Sequence, residues 1–183
     1  KTLDVAANGA SQGIHLNISG VGRLQMYADG NRNYFKGLSG NGHRFTTTGG
    51  ANVEILNNGN VGIGTTAPAA QLQVKQLGIN VNQSSVASTN QYTCDSMSAT
   101  IFRSARYTIQ ITNTTDSTYH LTEMLLIHDG TTPSINEFGT IFTGSAAEAA
   151  FTADINSGIV RILATPASTD AMAFKVVRHS ITV

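Results

Sequence analysis

Hydrophobic and polar residues alternate along the first part of the chain in short runs that are separated by turn residues. Ile14, Leu16 and Ile18 share one parity with polar side chains between them, which is the pattern of a half-buried strand. Turn signals such as Asn58-Gly59 recur about every ten residues, since asparagine and glycine tolerate the backbone conformations of tight turns. The pattern predicts a β-meander or an intertwined β-prism over residues 1–78.

Longer alternating runs begin near residue 99, where Tyr107, Ile109 and Ile111 share one parity. Residues 120–128 are apolar on both parities, which predicts a central strand covered on both faces. The remaining strands are predicted over 135–142, 149–155, 159–164 and 172–183. Together these runs predict an antiparallel β-sandwich or jelly roll over residues 99–183.

The segment between the two parts has few apolar residues and many small polar ones. It predicts a connector over residues 79–98 with one short strand near 79–81. A second ambiguous segment is 145–151, whose alanines favour a helical turn, while a strand through 149–154 is the alternative. The predicted architecture is therefore all-β: a short-strand shaft, a connector and a sandwich head.

The apolar faces within residues 1–78 are narrow. One copy of this region would bury too little surface to offset the entropy lost when its backbone becomes ordered. Three copies around one axis would bring three narrow faces together and leave few exposed strand edges. We therefore expect a homotrimer.

One motif stands out: Asn60-Val61-Gly62-Ile63-Gly64-Thr65-Thr66-Ala67-Pro68, followed by Leu72-Gln73-Val74. It resembles the N-V-G-I-G-T-x-x-P…L-x-V segment common in bacteriophage tail fibres, tail spikes and related virion appendage proteins. The resemblance implies a trimeric β-structured shaft just upstream of a folding-chaperone or distal domain, although no protease dyad of a self-cleaving chaperone can be assigned in the β-rich stretch after the motif. The stretches Leu126-Ile127-His128-Asp129-Gly130 and Lys175-Val176-Val177-Arg178 resemble β-rich structural proteins of marine phages that infect cyanobacteria.

The charge balance argues against polyanionic partners. Charged residues make up 12% of the chain and the formal net charge is +0, so no field would attract nucleic acid or an anionic membrane surface. No apolar run reaches the ~18 residues that a membrane helix needs, and no secretion signal is evident. We expect a soluble virion component made in the host cytoplasm, without a cofactor. Cys94 is expected to be a small buried hydrophobe.

The best candidates for a metal site or for acid–base catalysis are His120, Glu123, His128 and Asp129, with Asp116 or Asp154 nearby. Strand geometry argues against both functions, because residues 120 and 128 would lie roughly 26 Å apart on one face while residue 123 points the other way. The chain also shows no obvious pair of carboxylates at the roughly 5–10 Å that a glycoside hydrolase needs. We therefore expect no metal and no enzyme activity.

Three functional hypotheses remain. The first is a virion structural protein, a trimeric fibre or spike whose heads attach with avidity to a host-surface glycan or protein. The second is a decoration, connector or assembly protein that binds other virion proteins, and it predicts a sizeable apolar patch on the sandwich. The third is an appendage enzyme that degrades a capsule or lipopolysaccharide.

The candidate contact residues for attachment lie in three predicted loops near residues 113–118, 129–134 and 165–170. They are Asn113, Asp116, Asp129, Gly130, Thr131, Thr132, Ser134, Ser168 and Asp170. Tyr34 and Phe35 are the aromatic residues expected to be most exposed, either as a carbohydrate platform or under a neighbouring chain.

Overall fold

The computed structural model describes the backbone of residues 4–8, 11–18, 21–29 and 32–37 and, with their side chains, residues 42–47, 50 and 52–183. No helix occurs among these residues, and hence none that could cross a membrane. The all-β prediction is therefore confirmed for this part of the chain. Its strands are β1 (Asp4–Asn8), β2 (Ser11–Ile18), β3 (Val21–Asp29), β4 (Arg32–Gly37), β5 (His43–Thr46), β6 (Asn52–Ile55), β7 (Val61–Ile63), β8 (Leu72–Val74), β9 (Leu77–Val86), β10 (Tyr92–Ser98), β11 (Phe102–Asn113), β12 (Thr118–His128), β13 (Pro133–Phe142), β14 (Ala149–Asn156), β15 (Ile159–Pro166) and β16 (Met172–Thr182).

Strands β1 to β4 form a four-stranded antiparallel sheet in sequence order. Strand β2 lies where the alternation of Ile14, Leu16 and Ile18 predicts it, and the backbone follows the predicted meander. The prism arrangement, which needs other chains, stays a prediction. The side chains of Tyr34 and Phe35, the aromatic residues expected to be most exposed, lie outside the described residues.

A nine-stranded sheet contains the rest of the predicted shaft and much of the head, in the order β13-β12-β11-β16-β9-β8-β7-β6-β5. Its pairs are antiparallel except for β7 and β8, which are parallel. The turn predicted at Asn58-Gly59 is confirmed, since Gly59 has a φ of 87° and the turn pairs Val53 with Ile63.

Gly62 accommodates the connection between the parallel strands β7 and β8. A Cβ at this position would lie 2.6 Å from the backbone oxygen of Thr65, so the chain after β7 folds back against the glycine. Gly62 and Gly64 alternate with Val61 and Ile63, which leaves one face of this strand without side chains and permits another backbone to approach closely. At Gly62 the neighbouring backbone is this chain's own loop.

A sandwich is formed where the three-stranded sheet β10-β15-β14 packs over one face of β9, β16, β11 and β12. The antiparallel sandwich is thus confirmed, and residues 149–156 form a strand instead of a helical turn. The core between the two sheets is filled by Phe102, Tyr107, Ile109, Ile111, Met124, Phe151, Val160, Ile162, Met172, Phe174 and Val176, among others.

The connector predicted over residues 79–98 is wrong, because these residues form most of β9 and all of β10. Strand β9 lacks the apolar pattern of a buried strand, because its inward-facing side chains are mostly polar. Asn82 Nδ2 donates a hydrogen bond to the Cys94 carbonyl oxygen at 2.8 Å, and the Ser84 and Tyr92 hydroxyls lie 3.3 Å apart. Cys94 is buried as predicted, and burial raises the pKa of its thiol to about 12.

Gly78 in β9 is the point where the short strands join the sandwich. A Cβ there would meet the Phe102 ring at 2.9 Å and the Ala70 Cβ at 3.0 Å. Ala70, from the loop before β8, is part of the sandwich core. Strands β5 to β8 are therefore bound to the head by backbone ladders and by shared packing.

Candidate interaction face and polar pocket

The prediction that residues 120–128 are covered on both faces is wrong for the single chain. On β12 one parity, which includes His120, Met124 and Leu126, is buried against the three-stranded sheet. The other parity, which includes Leu125 and Ile127, is exposed because no layer formed by the described residues covers that side. We call this uncovered side of the nine-stranded sheet the outer face, and the buried side the inner face.

A row of apolar side chains crosses the outer face in direct register. The pairs Phe45↔Val53, Val53↔Ile63, Ile63↔Val74, Val74↔Leu77 and Leu77↔Ile181 link it from β5 to β16. A second row beside it contains Ile55, Val61, Leu72 and Ile79. We call these two rows the apolar stripe. Ladder partners share a side of the sheet, so the stripe is one continuous surface.

The first row of the stripe is exposed to solvent, and the second row is half-buried. Phe45 and Ile181 are each 56% exposed, and Ile127, which continues the first row through Ser104, is 58% exposed. Single exposed apolar residues are common on protein surfaces, whereas a contiguous set of this kind is typical of interaction surfaces. The stripe also borders a depression of about 470 Å³ lined by Leu77, Leu125, Ile127 and Ile181.

Few charges interrupt the outer face. Arg106 Nη2 and Glu123 Oε2 form an ion pair across β11 and β12 at 2.6 Å, and Lys175 and His179 lie on β16 beside it. The face therefore offers an apolar partner a surface with little net charge.

The residues weighed for catalysis are placed as the strand parity predicts. His120 and His128 lie on the inner face and are buried, while Glu123 lies on the outer face. Both histidines bond to backbone groups: Glu148 N donates to His120 Nδ1 at 3.3 Å, and His128 Nε2 lies 2.7 Å from the Phe102 carbonyl oxygen. Among the described residues, no group of three His, Cys, Asp or Glu side chains is placed to hold a metal ion.

The three predicted contact loops lie at two ends of the sandwich. The 113–118 and 165–170 loops meet at one end, where Thr114 N donates to the Ala171 carbonyl oxygen at 2.8 Å. The 129–134 loop lies at the other end of β12, roughly 33 Å away. Asp129 accepts from Thr131 N and Thr132 N at 2.8 and 2.7 Å, and these bonds lower its pKa to about 2.

Asn113 does not match its predicted role as an exposed contact residue, because it is only 2% exposed. Its Nδ2 donates to Glu148 Oε2 at 3.2 Å and to Asp170 Oδ2 at 3.0 Å. Glu148 and Asp170 are thus a close carboxylate pair that the sequence does not reveal, since 22 positions separate them. Glu148 is buried and also accepts from the Thr118 hydroxyl, so the pair serves to hold the loops together.

A polar pocket of about 330 Å³ opens beside β9, between the two sheets, and its polar lining includes Asn80, Asn82, Thr93, Asp95, Ser96 and Arg178. Arg178 and Asp95 form an ion pair in which they are 3% and 6% exposed. Burial raises the pKa of Asp95, and Arg178 opposes part of that rise. The sequence does not reveal this site, because 83 positions separate the two partners and because residues 79–98 resemble a coil in their composition.

Comparisons with known proteins add two partial matches. No protein-family model matches the chain, and no curated protein matches its sequence. The tailspike protein of Acinetobacter phage vB_ApiP_P1 aligns at 20% identity and a TM-score of 0.33, covering 58% of this chain and 22% of that one. The tailspike protein of Acinetobacter baumannii phage AM24 aligns at 7% identity and a TM-score of 0.36, covering 58% and 26%. The chain thus spans about a quarter of the length of these tailspike chains.

Proposed function

We propose that this chain is a structural part of a bacteriophage tail appendage, a fibre or spike, in which three copies pack through their outer faces. The observation that supports the proposal most strongly is the apolar stripe, which runs without interruption from the short strands β5 to β8 onto β9 and β16 of the head. The motif at residues 60–68, which contains β7 and the start of the loop to β8, supports the phage appendage class through its resemblance.

The partners that we propose to cover the apolar stripe are further copies of the same chain. Strands β5 to β8 are three or four residues long, and such strands need more than one another to remain ordered. With Leu125 and Ile127, the stripe reaches across the outer face from β5 to β12, and a standard interface buries about 800 Å² on each partner. Stripes on identical chains have the same length and the same lack of charge, so they can pack against one another. The choice of three copies rests on the resemblance of the motif at residues 60–68 to trimeric phage appendages.

The proposed role of the trimer is presentation. Three heads on one appendage would add weak contacts into useful attachment to a host surface. The exposed tips of the 113–118 and 165–170 loops form one candidate contact surface, and Asp129, Gly130, Thr131, Thr132 and Ser134 form the other. Asp116, Ser168 and Asp170 are the contact candidates at the first of these two ends, with Asn113 acting beneath them.

The test is the mass of the whole 183-residue chain in solution by light scattering. We expect three times the chain mass of 19.2 kDa. The double variant Ile127→Asp/Ile181→Asp should fall to a single chain mass, because it buries two charges in the interface. The whole chain is needed for this measurement. A shorter chain that began near residue 98 would lack β9, which is part of the nine-stranded sheet.

Ile159→Asp is the matched control, because Ile159 is also exposed, at 39%, but lies on the three-stranded sheet. It should leave the trimer intact. A wild-type chain that stays monomeric would remove the trimer proposal, and a double variant that stays trimeric would move the interface away from the outer face.

A decoration or connector role is the second candidate, and the stripe favours it too. A sizeable apolar patch on the sandwich is the predicted mark of a protein that binds other virion proteins. A monomeric wild-type chain that associates with a purified virion protein through Ile127 and Ile181 would select this role.

We propose no catalytic role. The purified trimer is expected to release no reducing sugar from capsule or lipopolysaccharide preparations. If release does occur and is lost in Glu148→Gln, the carboxylate pair of Glu148 and Asp170 becomes the candidate catalytic site and the appendage-enzyme hypothesis replaces this one.

A further inference from the structure

The pocket beside β9 is built around two charges that the fold holds in place. Arg178 Nη1 donates to Asp95 and also to the Ser96 carbonyl oxygen, the latter at 2.6 Å. Arg178 Nε donates to the Ser180 hydroxyl at 3.3 Å. A buried ion pair is expensive to desolvate and is often no more stable than apolar residues of the same volume. The pair therefore gives the pocket a fixed polar wall without giving it a net charge.

One polar atom in the wall of the pocket has no partner within the described residues. Asn80 Oδ1 is buried and accepts no hydrogen bond. Thr93 and Ser96 pair with Leu163 and Arg161 on the solvent side of the three-stranded sheet, so the pocket side of β10 is formed by Asp95 and by backbone groups such as the Ser96 carbonyl oxygen. Buried polar atoms in folded proteins are nearly always satisfied, so an acceptor in the wall of a polar pocket points to a donor that comes from outside the chain.

The rim of the pocket is rigid where Gln71 reaches it. The Gln71 side chain accepts from Val81 N at 2.8 Å and donates to the Val81 carbonyl oxygen at 3.1 Å, as a neighbouring strand would. Both ends of its amide are used. The loop after the motif at residues 60–68 thereby closes one side of the pocket and holds the edge of β9 in place.

We propose that this pocket binds one sugar unit of a neutral glycan. The charges of Arg178 and Asp95 cancel, so a ligand's net charge would gain no attraction that offsets its desolvation, whereas hydroxyl groups both donate and accept and so suit a wall that offers both. A pocket of about 330 Å³ is at the small end of the roughly 300–1,000 Å³ range of ligand sites, which fits a single ring. The inference rests on the proposed attachment role only for the source of the glycan, because the pocket lies within one chain.

Saturation-transfer NMR on the whole chain tests the proposal with defined probes. The neutral probes are the methyl glycosides of glucose, galactose, mannose and N-acetylglucosamine, and the charged probes are sialic acid and glucosamine. At least one neutral glycoside should bind with a millimolar Kd, and neither charged sugar should compete with it. The proposal is overturned if none of the four neutral probes shows saturation transfer, or if a charged sugar binds in preference to them.

The variant Asn80→Ala locates the binding, because it removes the buried acceptor that has no partner and leaves both members of the ion pair in place. It should weaken binding at least about tenfold. The matched control is Asn90→Ala, an exposed asparagine outside the pocket, which should bind as the parent does. Equal affinity in the two variants would place the sugar elsewhere and overturn the proposal.

The same samples separate this proposal from the trimer. Light scattering should give the parent mass for both variants, since neither touches the outer face. A trimer that binds no sugar overturns the pocket and leaves the appendage role intact. A monomer that binds the neutral sugar, and loses it in Asn80→Ala, overturns the trimer and leaves the pocket.

Discussion

The inner and outer faces of the nine-stranded sheet carry similar apolar residues but differ in what covers them. On the inner face Ile109, Met124 and Phe174 are fully buried under the three-stranded sheet. On the outer face Phe45, Ile127 and Ile181 are more than half exposed. Alternation in a sequence therefore reports that a face is apolar, and it does not report whether the same chain or another chain covers that face.

Replacing neighbours on opposite faces of β12 should give the largest contrast. Met124→Ala should lower the free energy of unfolding by about 2–5 kcal/mol, because it opens a cavity in a closed core. Leu125→Ala should lower it by less than about 0.5 kcal/mol in the monomeric Ile127→Asp/Ile181→Asp background, where no partner covers the side chain. Urea unfolding at one protein concentration measures both, and equal losses would contradict the distinction between the faces.

Acid should weaken the inner face through His120. Burial lowers the pKa of His120, and Glu137 and Glu148 oppose that effect. The unfolded chain therefore takes up the proton first. The stability is complete above the unfolded pKa of about 6.5 and falls as the pH drops towards the folded value, by at most about 1.4 kcal/mol per pH unit.

The control for this acid effect is His120→Leu, which removes the titrating group and keeps an apolar side chain beside Phe142 and Phe151. Urea unfolding at pH 7 and at pH 5 should show a clearly smaller difference in this variant than in the parent. An unchanged difference would assign the acid sensitivity to other groups.

The ion pair of Arg106 and Glu123 gives the smallest expected effect and reports directly on the outer face. A double-mutant cycle with alanine should give a coupling of about 0.2–1 kcal/mol in the monomeric background, because exposed pairs contribute little and are screened by salt. If further copies cover this part of the face, the coupling in the parent trimer should be larger and should resist 1 M salt. A coupling that is small and salt-sensitive in both would leave the pair outside the interface.

The elements that local pattern determines could be predicted from the sequence. Tyr107, Ile109 and Ile111 share a parity and lie on the inner face, as the alternation indicates. The turns at Asn58-Gly59 and at 156–158 lie where glycine permits a positive φ. These features depend on neighbouring residues, so one sequence is sufficient to find them.

The elements that distant residues determine could not be predicted. Strand β9 looks like a coil because Asn80 and Asn82 face inwards, and only the pairing with β16 shows that they line a pocket. Asn113 looks like an exposed loop residue until Glu148 and Asp170 are placed around its amide. Each of these partners lies far away in the chain, and alternation carries no information about them.

The junction at β8 has a mechanical consequence. Three residues of β8 are laddered to β7 on one side and to β9 on the other, and Ala70 and Phe102 enclose Gly78 from the core side. Tension or torque applied to the short strands would therefore pass into the head through a stiff sheet, with no swivel between them. In an appendage built in this way, the tip would keep a fixed orientation relative to the base. The angle at which the virion approaches a surface would then set the angle at which the contact residues meet that surface.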